Sequence, residues 1–170
     1  MYVLRTLADR LIGLSAFIGM VGLTVEMTVI LIDVIGRALG HPLYGSHDLV
    51  TMTMSLIVFG GMALCDYKGG HVSVDLFERN FPPALNRVMD ILSAIAGAVI
   101  FAGIAYYMYD YSKISVMLNR QTNLLDLPVA WYQWAIAALS VITALAMLLR
   151  AFELVLLGED VRKATEEQGL

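Results

Sequence analysis

Few side chains in this 170-residue sequence belong to types that do chemistry, so their spacing decides what chemistry is open to them. Glu26 lies inside an apolar run from Leu11 to Ile32. A charged side chain at the centre of a bilayer costs about 2.5–3.5 kcal/mol on insertion scales unless it is partnered. Such an acid is either a proton or cation site or one half of a buried contact. No second acid falls within another apolar run to build a proton relay, so the contact is the favoured reading of Glu26. Asp33 and Arg37 are an i,i+4 pair in the favourable order, worth only about 0.3–0.5 kcal/mol when exposed. His41, His47 and His71 fall at loops and helix ends on opposite sides of the membrane, where two axial imidazoles could not share a haem. Their spacing also matches no zinc pattern. Cys65 is the only cysteine, which excludes the membrane thiol oxidoreductases that need paired cysteines. No phosphate-cradling glycine loop and no nucleophile elbow occurs. The residues therefore predict no catalytic group, cofactor or metal, and not an enzyme.

The elements that hold these residues can be read from composition. The chain is 59% hydrophobic and 15% charged, whereas soluble domains average about 45–50% and about 25%. That much apolar surface must face lipid or other membrane helices. Four apolar stretches stand out, at residues 11–32, 49–64, 88–108 and 129–149. A hydrocarbon core of about 30 Å needs roughly 20 helical residues, so the second must borrow Asp48 and Cys65 and run over 48–65. Helices are forced because backbone groups find no water in lipid. The first stretch is too long for a signal segment and lacks a small-residue cleavage site, so it is expected to be retained. The prediction is an all-α integral membrane protein, one membrane domain over residues 1–170 with four transmembrane helices and a polar tail at 158–170. That tail suggests a separate polypeptide, since a fused version would continue into another helix.

Orientation is set by the positive charges. Eight Lys and Arg lie on one side (Arg5, Arg10, Lys68, Arg79, Arg87, Arg150, Arg162 and Lys163) against Arg37, Lys113 and Arg120 on the other. Both termini are expected to be cytoplasmic. Tyr106, Tyr107, Tyr109 and Tyr111 are expected to end the third helix, and Trp131, Tyr132 and Trp134 to open the fourth, at the outer interface. There is no basic cluster that would suit nucleic acid. Between helices two and three, Gly69-Gly70 and Pro82-Pro83 bracket an alternation of apolar and charged residues from His71 to Phe81. It predicts a short amphipathic helix on the cytoplasmic surface, with Asp75 and Glu78 as a capping box. An irregular loop over the helix ends is the alternative.

Helix one carries a pattern of its own. At about 100° per residue, Ser15, Gly19, Gly22, Glu26, Asp33 and Arg37 fall within about 40° of Glu26. Small residues let membrane helices approach closely, and that packing drives their association. The stripe is therefore expected to face protein, and a partner subunit is the expected neighbour.

Longer motifs carry a family resemblance. They are GRALGHPLYGSHDL (Gly36 to Leu49), KGGHVSVDLF (Lys68 to Phe77), the Pro82-Pro83 pair, and TNLLDLPVAW (Thr122 to Trp131). Together they resemble the small membrane subunit, the Q-type permease subunit, of the tripartite ATP-independent periplasmic (TRAP) transporters. The matching positions are Gly36, Arg37, Asp48, Gly69, Gly70, His71, Val74, Asp75, Pro128 and Trp131. In one departure, the chain reads Tyr44-Gly45-Ser46-His47-Asp48 where the family usually has Trp and an acidic pair, which leaves Asp48 to stand in for the acid.

The resemblance implies a multi-pass protein of the bacterial inner membrane that works with a large multi-helix membrane subunit and a periplasmic solute-binding protein. Such systems take up an organic acid on a sodium or other ion gradient. The small subunit enlarges the static scaffold, and its loops at Gly40 to His47 and Ser112 to Pro128 are candidates to meet the binding protein. Two other classes compete with this reading. One is a self-sufficient small exporter that exchanges protons through Glu26, against which the biased charge distribution argues. The other is a membrane anchor for a redox enzyme, which requires haem.

Overall fold

The computed structural model describes residues 2–67 and 83–157. They form four helices: α1 (Tyr2–Ala38), α2 (Ser46–Tyr67), α3 (Pro83–Met117) and α4 (Val129–Leu157). Among the described residues the sole β feature is an isolated bridge between Gln121 and Pro128. All four helices are long and apolar enough to cross a membrane, over Ala8–Ala38, Ser46–Asp66, Leu85–Met117 and Val129–Val155. The fold is the all-helical, four-span architecture that hydropathy predicts. The amphipathic segment expected at His71 to Phe81 lies outside the described residues.

The helices outrun the apolar stretches. With 37 residues, α1 is about 55 Å long, well beyond the hydrocarbon thickness. The third helix does not end at the tyrosine cluster: Tyr106 to Tyr111 lie inside α3, which continues to Met117. Lipid thickness limits an apolar run but does not stop a helix, and Asp110 to Met117 contains neither Gly nor Pro. What does stop α1 and α3 is chain reversal through a left-handed residue. Gly40 has φ 82° and Asn119 has φ 47°. After α1, the His41 N–H bonds the Gly36 carbonyl at 2.7 Å and the Gly40 N–H bonds the Arg37 carbonyl at 3.1 Å. After α3, the Arg120 N–H bonds the Ser115 carbonyl at 2.9 Å and the Asn119 N–H bonds the Val116 carbonyl at 3.1 Å. Both are Schellman motifs, which satisfy carbonyls that the helix end leaves orphaned.

Two hairpins, α1–α2 and α3–α4, make the molecule, and α4 joins them by packing on α2 and α1 as well as on α3. Ala98 and Phe101 of α3 meet Ala144 and Met147 of α4, with Phe59 and Met62 of α2 against them. A second cluster, Ile12, Ala63 and Ala146, draws one residue each from α1, α2 and α4. The best apolar window of α4 is 44% buried within the chain, against 11% for that of α1. The fourth helix is the internal post, and α1 leaves most of its apolar surface uncovered.

Candidate functional site

The connections α1–α2 and α3–α4 lie at one end of the molecule, the loop end, and carboxylates weld them together. Asp33 is buried near the end of α1. Its Oδ2 accepts from Arg37 Nε at 2.9 Å and lies 2.8 Å from the second guanidinium nitrogen, as the i,i+4 spacing predicts. Its Oδ1 accepts from the Leu43 N–H at 3.0 Å, which the spacing does not reveal. The pair thus does more than support a helix, because it folds the connection back onto α1. Gly36 makes room for this return: a Cβ there would collide with the His41 carbonyl oxygen.

Asp48 does the corresponding work across the two hairpins. It sits in the first turn of α2, where a negative charge also favours the helix dipole. Its Oδ2 accepts from the backbone N–H groups of Leu124 at 2.8 Å and Leu125 at 3.1 Å, so the α3–α4 connection hangs from it. That connection is ordered internally. Thr122 N–H bonds the Leu127 carbonyl at 3.0 Å, Leu127 N–H bonds Thr122 Oγ1 at 3.1 Å, and Val129 N–H bonds the Arg120 carbonyl at 3.2 Å. Pro128 pairs in the bridge and immediately precedes α4, where its ring ends the loop. Gly45 has φ 77°, and a Cβ on it would lie 2.5 Å from the Leu125 side chain. The two motifs of the loop end, Gly36–Asp48 and Thr122–Pro128, are therefore halves of one structure. Trp131 is exposed beside it, while Trp134 donates from Nε1 to Ser112 Oγ at 2.7 Å and so ties α4 to α3.

At the opposite end, Arg150 of α4 donates to Asp66 Oδ1 of α2 at 2.9 Å. Asp66 is 1% exposed, a buried acid at the end of α2 that the sequence does not single out. Its signal is weak because Asp66 and Arg150 lie 84 residues apart and each marks the end of an apolar run. Arg87, near the start of α3, donates to the carbonyls of Leu154 at 3.1 and 2.8 Å and of Val155 at 3.0 Å. These are carbonyls of the last α4 turn, the negative end of its dipole.

Of the α1 stripe, Ser15, Gly19 and Gly22 are buried, and their neighbour is α2 of the same chain. A Cβ on Gly19 would lie 3.2 Å from Gly61 N, one on Gly22 would lie 3.1 Å from Ile57 Cγ1, and one on Gly60 would lie 2.8 Å from the Ser15 carbonyl oxygen. At these three stripe positions the expected partner subunit is replaced by an internal helix. Arg37 is exposed, and Glu26 is half-buried between the two regimes. Gly69, Gly70, His71, Val74 and Asp75 lie outside the described residues. Among the described residues, no group of three or more His, Cys, Asp or Glu is arranged to hold a metal ion.

The arrangement is one of ties: carboxylates and arginines that fix loops and helix ends. No curated protein sequence matches the chain. The family model described as "Tripartite ATP-independent periplasmic transporters, DctQ component" matches residues 26–157, which take in both loop-end motifs and the residues that tie the opposite end. The chain, a multi-pass helical membrane protein, belongs to the DctQ-component family of the tripartite ATP-independent periplasmic transporters.

Proposed function

We propose that this chain is the static small subunit of a solute importer in the bacterial inner membrane, with both termini cytoplasmic and the loop end periplasmic. In this reading a large multi-helix membrane subunit moves the solute, an organic acid, on a sodium or other ion gradient. A periplasmic solute-binding protein delivers it, and the loop end, with its α1–α2 and α3–α4 connections, is the surface offered to that protein. The observation that carries the reading is the pinning of the helices at both ends, by Asp48 on one side and by Asp66–Arg150 and Arg87 on the other. A frame against which another subunit slides must not itself yield, and these ties remove the freedom of the helix ends.

The test is affinity capture of the tagged chain from its native membranes in mild detergent, with mass spectrometry of the proteins that co-purify. A roughly stoichiometric, much larger multi-helix protein is expected. Proteoliposomes holding both chains and supplied with the binding protein then take up an organic acid when a sodium gradient is imposed. Recovery of self-oligomers alone would overturn the reading and favour a small exporter working through Glu26.

A further inference from the structure

We draw no further inference here: the strongest candidate, the exposed apolar face of α1 that carries Leu23 and Ile30, is a surface patch left uncovered by the other described residues, and nothing in the structure shows what covers it.

Discussion

At the scale of single residues, one carboxylate in the first turn of α2 determines the order of a loop 76 residues away. Replacing Asp48 by Ala removes the acceptor for two backbone N–H groups and leaves them in a half-buried setting. Hydrogen bonds to charged groups are worth about 1.5–3 kcal/mol each, and Asn preserves an acceptor without its charge. Asp48→Ala is expected to lower the unfolding temperature in detergent clearly, Asp48→Asn less so, and limited proteolysis is expected to cut between Arg120 and Pro128 in the Ala variant. An unchanged melting curve with a protected loop would show that the two connections are held by other means. The sequence motif marked Asp48 as the residue that takes the place of an acid. What it could not show was the donors, because a backbone N–H in a loop has no sequence signature and no helical period links the two. Asp66 and Arg150 were obscure for the same reason: each looked like an end marker, and only packing sets them face to face. Glu26 was legible as an oddity from hydropathy alone, but that its Oε2 is buried without a hydrogen-bond partner among the described residues required coordinates.

Among the elements, the α1–α2 hairpin shows how a pattern can be read correctly in kind and completed by the fold. Helical spacing put Ser15, Gly19 and Gly22 on one face, and close packing is what such residues permit. Which helix would fill that face depended on Gly60, whose role was not evident within a short apolar stretch. The two adjacent glycines of α2 make a controlled comparison. A Cβ on Gly60 would press on α1 backbone atoms, 2.8 Å from the Ser15 carbonyl oxygen and 3.0 Å from Gly19 N, whereas one on Gly61 would meet nothing within 4 Å. Backbone cannot rotate aside as a side chain can, so Gly60→Ala must push the helices apart. The expected loss is about 1–3 kcal/mol, the range for overpacking. Gly61→Ala is expected to be neutral or to gain up to about 1 kcal/mol from helix propensity. Reversible unfolding of both variants in the same detergent measures the difference, and equal stabilities would mean that the hairpin is looser than this packing. The helix lengths teach the opposite lesson. Hydropathy located four spans but truncated α3, because an apolar count ends at lipid while a helix ends only where a residue such as Asn119 can turn left-handed.

The molecule as a whole is two hairpins made into one body, and the Asp66–Arg150 pair is where that union is most exposed to test. It links α2 of the first hairpin to α4 of the second, and the two side chains are 2% and 18% exposed. Removing one partner of a buried pair takes a counter-charge away from the other, a loss of about 3–5 kcal/mol, whereas replacing both with well-packed apolar groups is often neutral or stabilising. Arg150→Met alone and Asp66→Leu alone are therefore each expected to destabilise the chain strongly, and the double variant to recover most of the loss. The partial exposure of Arg150 sets the single-variant losses near the lower end of that range. If the small subunit serves as a frame, the double variant should also restore assembly with the large subunit and leave the choice of solute unchanged, since a frame needs stiffness at this junction and not charge. A double variant as stable as the wild type but unable to support uptake would assign the pair a part in the transport cycle, and the molecule would no longer be a passive frame.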